Sequence, residues 1–186
     1  MSNWTFAPLR PGAYDLIYAD PPWEYLTYSK AGQEKSPQAH YDCMPLTAIG
    51  DLDAGRLAAP NAWLLLWATA PMLPEALWLM RSWGFVYKTN VVWEKVHKSG
   101  APATGTGYIA RSQHELLLIG DIGKPWCVTP FPSLISGVRR EHSRKPDEFL
   151  PHIDAFMPRA RRVELFARTR RDGWDCWGNQ TEKFAA

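Results

Sequence analysis

Short apolar runs alternate along the chain with stretches of helical period. Tyr14 to Ala19 (YDLIYA) is a β-prone run stopped by Asp20-Pro21-Pro22, because proline donates no ladder hydrogen bond and restricts the residue before it. Residues 24–44 have no clear period and read as a long loop, while Pro45 to Ala58 reads as a helix with proline at its start. Ala62 to Ala68 (AWLLLWA) is apolar without alternation, the pattern of a strand covered on both faces. Pro74 to Trp83 carries Leu77, Met80 and Trp83 at helical spacing and stops at Gly84.

Phe85 to Glu94 and Glu115 to Ile119 read as two further strands, separated by a Gly- and Ala-rich loop over Lys95 to Gln113. Trp126 to Thr129 reads as a short edge strand and Pro130 to Lys145 as a loop, basic at its end. Asp147 to Met157 has a helical period in which Pro151 demands a kink or a later start. Arg162 to Ala167 and Trp174 to Trp177 are the last two strands. Strands alternating with helical segments predict an α/β sheet with helices on both faces, and no repeat, linker or second core divides the 186 residues, so a single domain is expected.

Composition narrows the class. With 46% hydrophobic and 22% charged residues the chain is an ordinary globular protein, not a disordered or disulfide-stapled one. The longest apolar stretch, Ala62 to Ala70, is about half the roughly 20 residues that cross a bilayer. The first ten residues lack a secretory signal pattern, so an intracellular, cytoplasmic protein is expected. Cys43, Cys127 and Cys176 have no C-x-x-C spacing and the five histidines no metal-ligand spacing, so no metal is expected. Charge is uneven: from Arg139 to Arg171 the chain carries 10 Lys/Arg against 5 Asp/Glu. Such a stretch suits either a phosphate-bearing polymer or a solvated face of local ion pairs. Ten tryptophans, mostly core fillers, also supply flat rings for base stacking.

The densest chemical signal is Asp20-Pro21-Pro22-Trp23, at the end of the first strand, where open α/β sheets bind ligands. A carboxylate and a backbone carbonyl accepting both hydrogens of an aromatic amine such as that of adenine would localise the nitrogen's lone pair and make it nucleophilic. Trp23 would stack on the ring. With a reference pKa of about 3.9, an aspartate cannot deprotonate such an amine beforehand, so its role is to stabilise growing positive charge and take or relay a proton. The alternative is a plain strand-ending turn.

Together with Asp20 to Trp23, Leu64-Leu65-Leu66-Trp67, Val91-Val92-Trp93-Glu94-Lys95, His142-Ser143-Arg144-Lys145-Pro146-Asp147-Glu148, Glu164-Leu165-Phe166-Ala167-Arg168, Gly173-Trp174 and Trp177-Gly178-Asn179-Gln180 occur in the order seen in the MT-A-seventy family, which the chain resembles from about Tyr14 to Gln180. These are S-adenosylmethionine-dependent adenine N(6)-methyltransferases of DNA and RNA. The resemblance implies a Rossmann-like methyltransferase fold with a mixed, mostly parallel sheet and a permuted motif order, the catalytic motif preceding the main cofactor motif. It implies catalysis by Asp20, Pro21, Pro22 and Trp23, and a cofactor seat made by Asp20, Lys145, Glu164, Phe166, Arg168, Asn179 and Gln180.

On the substrate side the resemblance points to Tyr41, Trp67, Trp93, Lys95 and Glu115 around the target adenine. Arg139, Arg140 and Arg144 are expected on phosphates, because backbone contacts dominate such interfaces. Trp67 and Trp93 equally suit the core, Glu115 equally suits pairing with a nearby base, and the arginines equally suit a surface ion-pair network. No upstream acidic pair for the cofactor's adenine is found, and the roles of Arg170 and Arg171 stay open. The small size resembles bacterial and phage members acting on DNA, as a monomer or homodimer. The same reaction on RNA, or a non-catalytic nucleic-acid-binding subunit, are the alternatives.

Overall fold

The computed structural model describes residues 4–24, 43–141 and 144–184. Its elements are β1 (Tyr14–Ala19), α1 (Leu46–Gly50), a 3-10 turn (Ala54–Leu57), β2 (Ala58–Ala68), α2 (Leu73–Ser82), β3 (Val86–Val96), β4 (His114–Ile122), β5 (Leu134–Val138), α3 (Phe149–Phe156), β6 (Arg162–Leu165) and β7 (Trp174–Trp177). Seven strands form one sheet in the order β5-β3-β4-β2-β1-β6-β7. Parallel pairing joins β1 to β2 and β6, β6 to β7, and β3 to β5, whereas β4 runs antiparallel to β2 and β3. The sheet is mixed and mostly parallel.

Alternation along β1, with both faces covered, explains why its run is apolar apart from Asp15. Ile17 and Ala19 face a core with Leu64, Leu66, Leu79, Met80 and Trp83 under α2, and Leu16 and Tyr18 face a second core with Leu65, Trp67, Phe149 and Ile153 under α3. Leu64, Leu65 and Leu66 are fully buried, each stabilising the fold by on the order of 2 kcal/mol.

Three expectations are corrected. The helix expected over Pro45 to Ala58 is cut short at Gly50, because Asp53 adopts the left-handed region (φ 52°) and the chain resumes as a 3-10 turn. The edge strand expected at Trp126 to Thr129 is absent: the Trp126 carbonyl accepts from the Trp63 indole and the Val128 N–H donates to Phe156, so these backbone groups serve loop contacts. The edge strand is instead β5, within the segment expected to be a loop. Its Gly137, a poor strand residue by propensity, is needed there: a Cβ would lie 2.9 Å from the Trp93 Nε1, which donates to the Gly137 carbonyl. Pro151 is resolved by the later start, since α3 begins at Phe149 and the proline falls in its first turn, where no amide donor is required.

Register brings the functional segments to one place. Ala19 pairs with Leu66 and Leu165, Ala68 with Leu116, Trp93 with Glu115, Val96 with Val138, and Leu165 with Trp177. Because β4 is reversed, its amino end joins the carboxyl ends of the other strands.

Gly55 offers a check on the helical layer. A Cβ there would lie 1.9 Å from the Trp83 carbonyl oxygen, so Gly55→Ala must displace backbone and is expected to destabilise by about 2 kcal/mol or more, read as a lowered urea midpoint.

Candidate active site

Five charged side chains line the carboxyl edge in alternating sign. Lys95 of β3 donates to Glu115 of β4 at 2.6 Å, the other Glu115 oxygen lies 3.2 Å from the Lys145 ammonium, Lys145 reaches Asp20 at 2.8 Å, and the second Asp20 oxygen lies 3.9 Å from Arg168. The row crosses the sheet from β3 to β6. Its members keep 12 to 16% side-chain exposure, so each is largely desolvated yet reachable. Lys145 stands 5.4 Å over the Trp67 ring and Lys95 5.0 Å over Trp93, placing aromatic faces under both ammonium groups.

Electrostatics follow from this packing. Burial alone would push the Glu115 carboxyl up, but Lys145 and Lys95 outweigh it and hold it below the ordinary range. Burial alone would lower Lys145, but Asp20 and Glu115 hold it above the ordinary lysine value. Glu164 is the opposite case: burial pushes it up, with the Asp20 charge adding to the shift, even though Arg171 donates to it at 3.0 Å.

The catalytic turn is built by short-range bonds. Trp23 N–H donates to the Pro21 carbonyl at 2.9 Å, and Met44 N–H to that of Pro22 at 3.0 Å. A carbonyl has two lone pairs, so that of Pro21 retains acceptor capacity. Trp23 itself departs from expectation. Its ring is 6% exposed in the α2-side core and its indole donates to the Trp67 carbonyl, so it anchors the turn and presents no free stacking face. Trp67 and Trp93, expected beside the base, are fully or almost fully buried; the Trp67 indole donates to the Tyr18 hydroxyl at 2.6 Å. They form the floor of the charged row, because strand alternation turns them into the α3-side core.

The remaining expected residues distribute as follows. Phe166 takes a left-handed conformation (φ 60°) directly after β6, turning the chain across the edge, and Gly178 packs against it so closely that a Cβ would lie 2.9 Å from the Ala167 nitrogen. Asn179 is exposed, and Gln180 accepts from Lys183. Arg140 pairs with Asp147 and Arg144 with Glu141, as in the ion-pair alternative, while Arg139 is exposed. Tyr41 lies outside the described residues. Two cavities, of about 410 and 650 Å³, lie elsewhere, beside the starts of β6 and β7 and at the amino ends of β1 and β6. Sequence reading missed the direct Asp20–Lys145 pair and the Glu164–Arg171 pair, for which no spacing rule exists.

The MT-A70 family profile matches residues 14–180, the interval that contains every member of this row. The chain belongs to the MT-A70 family. It is an adenine N(6)-methyltransferase. It is 32% identical to the type II methyltransferase M.MunI from a Mycoplasma species, over 93% of this chain and 80% of that protein. Identity is 29% to the N6-methyladenosine RNA methyltransferase MTA1 of Cryphonectria parasitica and 26% to the human N(6)-adenine-specific methyltransferase METTL4, of which the aligned part is 54% and 38%. MT-A70 membership implies an S-adenosylmethionine donor. The edge fits one: the two largely desolvated cations of Lys145 and Arg168, side by side at the carboxyl ends of the strands, suit a carboxylate. Among the described residues no cluster of metal-ligating side chains occurs, and no helix is long and apolar enough to cross a membrane.

Glu115→Gln should lower stability by about 2 kcal/mol at pH 7, less than for a fully buried pair because every partner keeps some solvent. A depressed carboxyl contributes stability above its unfolded value near 4.5 and loses it as pH falls through the lower folded value. The urea midpoints of wild type and variant are therefore expected to stay apart above about pH 4.5 and to converge as the pH falls below it.

Proposed function

We propose that this MT-A70 enzyme is a single methyltransferase domain over residues 1–186 that methylates adenine in DNA, with Asp20 and the Pro21 carbonyl receiving the amine. The observation that carries the reading is Asp20 itself: an ion-paired carboxylate at the strand edge, 15% exposed, with cations on both of its oxygens. DNA is favoured over RNA by coverage, since the chain spans most of a type II methyltransferase, a class of DNA enzymes, and about half of the RNA enzyme. Monomer and homodimer both remain compatible with this reading.

Bound S-adenosylmethionine supplies an electrophilic methyl. Lys145 and Arg168 would hold its carboxylate, with Phe166, Asn179 and Gln180 around the rest; this order, catalytic turn first and cofactor segment later, is the permuted one. Glu164 acts here through Arg171, fixing the chain after β6. The target adenine leaves its stack because its amine cannot otherwise reach a carboxylate set into the sheet edge. Asp20 and the Pro21 carbonyl accept the two N–H hydrogens, localising the nitrogen lone pair, and Asp20 then takes or relays the proton that the nitrogen sheds. Pro22 and Trp23 hold the turn rigid. Lys95 and Glu115 would border the target adenine; the family resemblance adds Tyr41, which lies outside the described residues. Arg139, Arg140 and Arg144 extend toward the phosphates, the latter two after exchanging their carboxylate partners.

Labelled-methyl transfer to matched DNA and RNA oligonucleotides, followed by nucleoside analysis, tests the reading; label recovered as N(6)-methyladenosine from RNA alone would reverse the polymer assignment. Asp20→Asn is expected to reduce turnover by about 10³-fold or more, with cofactor affinity changed only a few fold by calorimetry. Lys145→Ala is expected to weaken cofactor binding by about tenfold or more. Full turnover in Asp20→Asn would remove the carboxylate from the chemistry.

A further inference from the structure

The β3–β4 connection, residues 97–113, leaves the sheet beside Lys95 and returns beside Glu115, so it rises from one end of the charged row. At its tip Tyr108 and Ile109 are 98% and 96% exposed. One exposed apolar residue is ordinary, but two adjacent large ones at a loop tip beside an active site require an account.

This loop is shaped, not slack. Ala103 is fully buried at its foot and its N–H donates to the Lys95 carbonyl at 2.7 Å, and Val96 bridges to Pro102. Higher up, Gly105 N–H donates to Ser112, Ser112 N–H to Thr106, and Gln113 to the Thr104 hydroxyl. The last turn needs glycine at 107, where a Cβ would lie 1.9 Å from the Ala110 carbonyl oxygen. The apolar pair is thus held out at the tip of an ordered arm.

Its charges suit a polyanion. Residues 97–113 contain no Asp or Glu, while Lys98 and Arg111 flank the tip, both exposed. Arg139 N–H donates to Val96, placing the exposed Arg139 at the foot of the same arm.

We propose that Tyr108 and Ile109 form a wedge that enters the duplex beside the target and fills the gap left when adenine swings toward Asp20. The proposal rests on the DNA reading above. Extruding a paired base costs a few kcal/mol, and an apolar pair replacing the lost stacking offsets part of that cost. A wedge has nothing to fill in single-stranded substrate, which separates this role from general affinity.

The test is the Tyr108→Ala/Ile109→Ala variant, whose sites touch no core. On a duplex methylated by wild type, kcat/KM is expected to fall about tenfold or more, while single strands and duplexes with the target opposite an abasic site stay within about twofold. With 2-aminopurine at the target position and no cofactor, the fluorescence rise on binding should shrink in the variant, and Tyr108→Trp/Ile109→Leu should restore it. Undiminished duplex activity, or equal loss on all substrates, overturns the wedge. Equal loss accompanied by a changed oligomeric state would assign the tip to a second copy of the chain. Wild-type activity on RNA but on no duplex would remove the DNA reading, and the wedge with it.

Discussion

A single ammonium group organises the site. Lys145 comes from the segment between β5 and α3, yet its nitrogen lies between Asp20, which follows β1, and Glu115, which opens β4. Each of these three charges would be expensive at its burial if alone, and a buried charge without its partner is costlier than the pair. The charges are therefore mutually dependent, and through them so are three stretches far apart in the chain. This dependence places Asp20 where a loop carboxylate would otherwise sample many rotamers.

The aromatic layer beneath is part of the same constraint. Trp67 lies edge-on to Trp93, with centroids 6.0 Å apart, and to Phe149, at 4.9 Å, while the Tyr18 hydroxyl oxygen accepts a hydrogen bond from the Trp67 indole N–H. Such a layer has few rotamers open to it, so the cations above it share a rigid, low-dielectric floor. Burial holds the Tyr18 phenol far above its ordinary range, which keeps it neutral under the charges. The abundance of tryptophan in this chain thus serves, at these positions, the support of ions rather than direct stacking.

What the sequence revealed and what it hid follow one physical division. β1 and β7 were legible to the residue, because short aromatic-rich, β-prone segments are closed by Asp20-Pro21 in one case and by Gly173 and Gly178 in the other. The strand Leu134–Val138 was hidden because its glycine and serine signal a loop locally, and Gly137 is accounted for by the Trp93 indole, 44 positions away, and by Pro146, both of which a Cβ would meet. Likewise Asp20 and Lys145 were legible as residues of the resembling motifs, but their pairing was not, since it depends on sheet order. By chemical type Trp23 reads as a stacking face, whereas its ring is buried in the α2-side core and its indole donates to the Trp67 carbonyl.

The alternating row also constrains what the site can accept. In the proposed reading a carboxylate arriving at Lys145 and Arg168 joins Asp20 on cations whose desolvation was met on folding, so the cations are shared between two anions and none is left unpaired. Asp20 then gains freedom to turn an oxygen toward an amine, because a cation shared with a second anion grips each less tightly. Substrate and cofactor would be coupled through the same ammonium without any backbone movement. That coupling requires sites adjacent across the sheet edge, which the reversed β4 secures by bringing Glu115 to the carboxyl ends of its neighbours.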